Sequence, residues 1–173
     1  GVDIVATWSP KMVVGNLILS GAYNYNKVEV VNSLDNPQEL SGLVLADGSQ
    51  IEQFDRERLG TYTDAVPDSK LSISTKYGLD KWLINARATR FGRWTVKGTT
   101  ENLDTDNQAK WIVNLEAGYQ LENGLAFFAG ANNIFNVYPK ERLANSLGTN
   151  FYDTYSPYGF TGGSWYIRTS YAW

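Results

Sequence analysis

The sequence predicts an all-β protein, an antiparallel meander of seven membrane-crossing strands. Three observations favour this class. Apolar and polar residues alternate in seven separate stretches, and a period of two is the side-chain period of a β-strand. The connections between these stretches are alternately short and long, so the long ones fall at one end of the sheet. No apolar run of about 18 residues occurs, so there is no candidate transmembrane helix.

The first two strands are predicted from alternation over residues 2–8 and 17–25. Residues 9–15 between them contain a proline and end on a glycine, which favours a short turn. A long connection over residues 31–68 follows. Within it, residues 53–60 (QFDRERLG) predict one or two helical turns.

The third and fourth strands alternate over residues 71–77 and 82–89, with a tight turn at 78–81. The alternation fails at Arg90-Phe91-Gly92, where we expect a bulge or the end of the buried band. Residues 95–109 are mostly polar and predict the second long connection.

The fifth strand, residues 111–121, carries the cleanest alternation in the chain. Asn123-Gly124 then predicts a hairpin turn, because both residue types accept a positive φ. The sixth strand is expected over residues 125–137, although adjacent phenylalanines obscure which face is apolar. After the third long connection, residues 138–162, the seventh strand alternates from 163 to 173.

One alternate set in these strands is almost free of charge, whereas the other is polar. Apolar outward and polar inward residues, with short turns at one end and long loops at the other, are typical of an outer-membrane barrel wall. Aromatic residues also cluster at both ends of the predicted strands. This clustering is typical of strands that end at the two membrane–water interfaces. The short-turn set is Trp8, Tyr77, Trp82, Tyr119, Tyr171 and Trp173, and the long-loop set is Tyr25, Trp111, Phe135 and Trp165.

Composition argues against catalysis and against nucleic-acid binding. The 173 residues carry a net charge of -3 and no basic run. Histidine and cysteine are both absent, which removes the commonest general base and the thiolate metal ligands. Residues 104–107 (DTDN) lack the glycine and glutamate that a calcium-binding EF-hand loop requires. We therefore expect no enzyme activity, no catalytic or metal site and no cofactor.

Two stretches resemble the TonB-dependent outer-membrane receptors. Residues 130–139 (GANNIFNVYP) resemble that family's penultimate-strand motif, with Asn133, Phe135, Asn136 and Tyr138 in the matching places. Residues 155–173 resemble its C-terminal motif, in which a Gly-led strand follows a Pro-aromatic-Gly. Trp173 departs from the usual phenylalanine but keeps a terminal aromatic.

The resemblance implies a 22-stranded barrel, of which residues 1–173 would be the C-terminal segment without the plug domain and earlier strands. It implies a receptor in the bacterial outer membrane that imports a scarce nutrient, with an iron-siderophore chelate as the commonest cargo class. The implied partners are outer-membrane lipid, the barrel-assembly machinery, a small-molecule ligand, and TonB through the absent N-terminal part.

Three residue sets are functional candidates. Ligand-contacting loop candidates are aromatic or basic, although packing between loops is an alternative role: Tyr62, Trp94, Arg142, Phe151, Tyr152, Tyr155 and Tyr158. Polar strand residues are expected to face the lumen, toward the plug or the cargo or simply as a solvated wall: Asp3, Asn24, Lys76, Asn85, Arg87, Asn114, Glu116 and Arg168. The resemblance implies that the apolar set of the last strand is the assembly signal: Trp165, Ile167, Thr169, Tyr171 and Trp173.

Two other classes of protein fit parts of this pattern. A soluble all-β carbohydrate-binding module would use the exposed aromatics for stacking on sugars, and it would remain monomeric without detergent. A complete small barrel would close from this chain alone. The soluble module differs from a receptor segment in the apolar band, which in a receptor segment would be too large for water. The small barrel would be a structural outer-membrane protein and differs in forming a closed, heat-modifiable species from this chain alone.

Overall fold

A computed structural model describes residues 1–31, 36–46, 48, 50–142, 151–153 and 155–173. The strands in these ranges are β1 (Val2–Trp8), β2 (Asn16–Tyr25), β3 (Ser69–Leu79), β4 (Trp82–Phe91), β5 (Trp94–Val96), β6 (Thr105–Asn107), β7 (Lys110–Gln120), β8 (Leu125–Asn132) and β9 (Ser164–Tyr171). One α-helix, α1, covers Arg56–Thr63, and two short 3₁₀ turns cover Gln38–Leu40 and Glu101–Leu103.

Seven strands form one sheet in the order β1-β2-β3-β4-β7-β8-β9, and every neighbouring pair is antiparallel. The predicted meander of seven strands is therefore confirmed. Its long connections, 26–68, 92–109 and 133–163, all leave from one end of the sheet. Within the described part of the chain, β1 and β9 each have one neighbour, so these strands do not close on themselves. No helix in that part is long and apolar enough to cross a membrane.

The strand register sorts the side chains onto two faces. Ile73 lies opposite Gly21 and Ala88, whereas the next residue, Ser74, lies opposite Ser20 and Arg87. Because directly opposed residues share a face, this pairing separates an apolar face from a polar face across all seven strands. A shift of one residue in any strand would exchange the two faces.

The apolar face is exposed and has no second layer packed on it. Trp165, Ile167 and Trp8 are 80%, 71% and 63% exposed. A water-soluble sheet of this size would cover such side chains, because exposed apolar patches this large favour association. The aromatic residues lie where the sequence predicts, and Trp82 and Tyr119 meet edge to face at the short-turn end, with ring centroids 4.8 Å apart.

The connections differ from prediction in three places. β8 ends at Asn132 and not at residue 137, because Asn133 takes a φ of 49° and begins a turn. The connection predicted as polar at 95–109 contains the β5-β6 hairpin. The expected helical turns lie three residues later, at Arg56–Thr63, where the Asp55 carboxylate accepts a hydrogen bond from the Arg58 backbone N–H as an N-cap.

Candidate functional site

The polar face carries all eight residues predicted to face the lumen. The register places Asp3 opposite Asn24, and it aligns Lys76, Asn85 and Glu116 in one row across three strands. Arg87 and Asn114 form the next row toward the long loops. The eight therefore share a face, which we call the polar wall, and its orientation toward a barrel lumen remains a prediction.

Glu116 joins three strands of the polar wall. Its carboxylate accepts hydrogen bonds from Asn85 Nδ2 at 3.0 Å, from Tyr166 Oη at 2.9 Å and from Arg168 Nη2 at 3.1 Å. The last contact is also an ion pair, so Glu116 and Arg168 form a salt bridge within the wall. Because Asn85 lies on β4 and the other donors lie on β9, the carboxylate links strands that are not adjacent.

Two glycines make this link across β8 and β7 possible. Gly130 lies between Glu116 and Tyr166, and a Cβ on Gly130 would come within 2.4 Å of the Tyr166 ring. Gly118 likewise leaves room for the Phe128 ring, over which the Arg168 guanidinium lies 3.9 Å from the centroid. Tyr166 and Phe128 were not among the predicted wall residues, although both lie at the alternate strand positions that the polar residues share.

The second candidate region is the loop cap, formed by α1, the β5-β6 hairpin and residues 138–142, 151–153 and 155–160. Arg56 on α1 donates two hydrogen bonds to the Asp104 carboxylate at 2.6 and 2.7 Å, and Gly98 N adds a third at 3.0 Å. The Arg56 guanidinium thereby lowers the pKa of the Asp104 carboxyl group below its usual range. The first and second long connections are thus held together by a bidentate ion pair.

The third long connection packs against the same unit. Tyr158 meets Phe91 and Trp94 with centroids 5.5 Å apart in both pairs, and Lys140 N donates to Asn107 Oδ1 at 2.8 Å. Trp94 is 3% exposed. Burial raises the pKa of Tyr158 to about 12, so its hydroxyl keeps its proton at neutral pH.

The predicted loop residues therefore divide into two groups. Trp94 is buried, which contradicts its prediction as a ligand-contacting surface residue and favours the alternative role of packing between loops. Tyr158 packs on it, and Tyr152 stacks on Tyr138 at 5.5 Å. The others remain candidates: Tyr62, Phe151 and Tyr155 are exposed, and Arg142 is half-buried.

The motif after β8 forms a turn held by asparagine side chains. Asn133 donates from Nδ2 to Val137 O at 2.8 Å and accepts from Val137 N at 3.0 Å. Asn136, with a φ of 53°, accepts from Gly163 N at 2.8 Å. Asparagine tolerates this left-handed conformation and can bond its local backbone. The motif therefore attaches the end of β8 to the start of β9.

Sequence reasoning omitted Lys70 and Phe91 from the polar wall. Both lie on that face, since the register pairs Lys70 with Asn24 and with Phe91. Extending the alternation of β3 back by two residues from Ser72 would have found Lys70. The burial of Phe91 depends on the loop cap above it, and the strand pattern does not contain that information.

Comparisons with known proteins give one family. A family model described as TonB dependent receptor-like, beta-barrel matches residues 1–134. No curated protein and no solved structure matches the chain. The matched residues include β1 to β8 and therefore most of the polar wall.

Proposed function

Because the chain belongs to the TonB-dependent receptor β-barrel family, we propose that it is the C-terminal part of a 22-stranded barrel that imports an iron-siderophore chelate. The family is one of bacterial outer-membrane transporters, not of enzymes, and it implies a small-molecule ligand and coupling to TonB. The observation that carries the proposal is the family match together with a sheet whose apolar face is exposed and whose other face is polar.

The barrel proposal follows from the unpaired sheet edges. β1 and β9 each present a row of backbone N–H and C=O groups to no described partner. Lipid does not tolerate such edges, because an unsatisfied backbone group in hydrocarbon costs several kcal/mol. Further strands outside this sequence would pair both edges and enclose a plug domain. The apolar face would then contact outer-membrane lipid, and TonB would bind an N-terminal part of the same protein.

The cargo proposal rests on the family's commonest cargo class and on the loop cap. Exposed aromatics at Tyr62, Phe151 and Tyr155 offer flat apolar surface, and Phe151 O accepts a hydrogen bond from Arg142 N at 2.8 Å. Aromatic surface beside an arginine suits an aromatic or chelating ligand. A soluble carbohydrate-binding module could use the same side chains. The family membership and the exposed apolar face favour the receptor over that module.

Growth assays can test the cargo. A strain lacking the receptor is complemented with the full-length gene and grown under iron limitation with a panel of single ferric siderophores. We expect at least one siderophore to support growth only when both the receptor and TonB are present. Growth independent of the receptor on every siderophore, together with receptor-dependent growth on another scarce nutrient, would contradict the iron proposal.

A further inference from the structure

Four cations of the polar wall have no ion-pair partner among the described residues: Lys70, Lys76, Arg87 and, at the edge beside the loop cap, Lys110. The first three lie in sequence down the wall. Lys70 and Lys76 lie on β3 and Arg87 lies on β4 between their levels, because Arg87 is opposite Ser74. Every ion pair in the described chain involves other residues. The three side chains are exposed and descend from the long-loop end of the wall toward the short-turn end. We call them the cation track.

The strands of the same wall carry two anions, fewer than their cations. Glu116 is neutralised by Arg168, whereas Asp3 accepts a hydrogen bond from the uncharged Asn24 at 2.7 Å and keeps its charge. The wall therefore retains an excess of positive charge, although the whole chain has a net charge of -3. The positive surface is thus a property of this face and does not follow from overall composition.

The cation track also connects three cavities on this face. Lys70 and Arg87 both border a cavity of about 350 Å³ beneath the loop cap and a neighbouring one of about 290 Å³ toward β1. Arg87 and Lys76 border a third, of about 250 Å³, beside Glu116. An anion in any one cavity would therefore lie beside a cation that also borders the next.

The upper cavity contains a hydrogen-bond donor without a partner. Tyr158 lines it, and its buried hydroxyl has no hydrogen-bond partner among the described residues. The high pKa of Tyr158 keeps the hydroxyl protonated, so it can donate to an anionic oxygen. Lys70 Nζ lies 5.4 Å from the centroid of the Phe91 ring, and that ring packs on Tyr158. The Lys70 charge and the Tyr158 hydroxyl donor therefore border the same cavity.

We infer that the cation track carries an anionic cargo along the wall, with the Tyr158 cavity as its entry site. The inference rests on the proposed import function and adds the charge class of the cargo, which would present carboxylate or catecholate oxygens. Like-signed groups lining a water-filled space raise the local concentration of the opposite charge. Exposed single cations hold an anion weakly, which suits movement from one cavity to the next.

Equilibrium dialysis with the intact, detergent-solubilised receptor tests the inference. The probes are an anionic ferric tricatecholate, an uncharged ferric trihydroxamate and inositol hexakisphosphate, an iron-free polyanion of similar size. We expect an anionic probe to bind with an affinity that falls as salt is added. The triple variant Lys70→Gln, Lys76→Gln, Arg87→Gln should weaken that binding about tenfold or more, as the loss of charged hydrogen bonds predicts.

Lys11→Gln, in the short turn at the opposite end of the sheet, removes one charge without touching the track. It should leave binding within about twofold of the wild type, since the charge lies more than a screening length from the upper cavity. Heat-modifiable gel mobility shows whether the triple variant folds. If the triple variant does not fold, binding of the anionic probe by the three single variants and the salt dependence of wild-type binding test the inference instead.

The outcomes separate this inference from the cargo proposal. Binding of inositol hexakisphosphate that depends on the track, without binding of either chelate, would support the inference and count against an iron cargo. Binding of the uncharged chelate and of neither anionic probe, with the same affinity in wild type and triple variant, would overturn the inference and leave the iron cargo standing. Absence of binding by every probe would overturn the inference. A triple variant that melts at a lower temperature but binds the anionic probe unchanged would also overturn it, because the three cations would then stabilise the receptor by contacting the plug.

Discussion

Two tryptophans show how differently the polar wall's sheet and the loop cap are built. Trp165 on β9 is 80% exposed, whereas Trp94 on β5 is 3% exposed. Trp165 belongs to an apolar face that no other described element covers. Trp94 is enclosed by the ring of Tyr158 and its neighbours in the loop cap, as in a soluble domain. The same residue type therefore occupies two different environments in one chain.

The difference lies in which groups need protein partners. In the sheet, neighbouring strands satisfy each other's backbone groups, and apolar side chains can remain against lipid. In the proposed barrel the loop cap lies in water, where apolar side chains are buried and partly buried charges such as Arg56 and Asp104 are paired. Substitutions that introduce charge should therefore damage the sheet's apolar face, whereas substitutions that remove volume should damage the loop cap.

The largest expected effect is on assembly of the sheet. Changing both Tyr171 and Trp173 to Asp in the full-length receptor should abolish outer-membrane insertion, because the aromatics anchor β9 at the interface and its edge pairs during assembly. Surface levels measured by protease accessibility and heat-modifiable mobility check this. Ser170→Ala, on the polar face of the same strand, should be tolerated. Normal surface levels of the double variant would show that β9 is not the assembly signal.

The next effect should be confined to the loop cap. Trp94→Ala removes a buried ring and should cost about 3–5 kcal/mol of local stability. We expect faster proteolysis within the long connections and an unchanged melting temperature of the barrel. Phe151→Ala, which removes an exposed ring from the same cap, is the control. A fall in barrel melting temperature with Trp94→Ala would mean that the cap and sheet are one cooperative unit.

A pair of adjacent residues tests the two faces of the sheet. Ile73→Lys places a charge on the apolar face and should cost about 2–4 kcal/mol if that face meets the bilayer centre. Ser74→Lys places the same charge one residue further, on the polar wall, and should cost less than about 1 kcal/mol, the repulsion from Arg87 opposite it. Denaturant unfolding of the receptor in lipid vesicles gives both values. Equal costs would indicate that the assignment of faces is wrong.

The smallest effect is a pH dependence of the loop cap. Arg56 lowers the pKa of Asp104 in the folded protein, so the pair stabilises the cap fully above the unfolded-state pKa of about 3.9. That contribution is lost as the pH falls below this value and through the lower folded-state pKa. Hydrogen exchange of α1 should therefore accelerate only below about pH 4. The Asp104→Asn variant should show the faster exchange of α1 at every pH. If wild-type exchange accelerates near neutral pH instead, the Arg56–Asp104 pair is not its cause.

The sequence by itself determined the wall. Strict alternation, positive-φ residues at the turns and the order of short and long connections are local properties, so they predict strand number, neighbours and faces. The sequence placed Glu116 and Arg168 in the same polar set, but β8 lies between their strands, so the pairing of neighbouring strands does not by itself predict their contact. Lys70 was missed only because the alternation of β3 was not extended far enough.

Only the tertiary structure decided the loop cap and the cation track. The burial of Trp94, the Arg56–Asp104 pair and the position of Tyr158 join residues from three different long connections. Loops have no fixed side-chain period, so their sequences do not state which loops meet. Likewise, a lysine or arginine on the wall is paired or unpaired according to what the neighbouring strands place beside it. The charge of the wall is therefore a property of the assembled sheet.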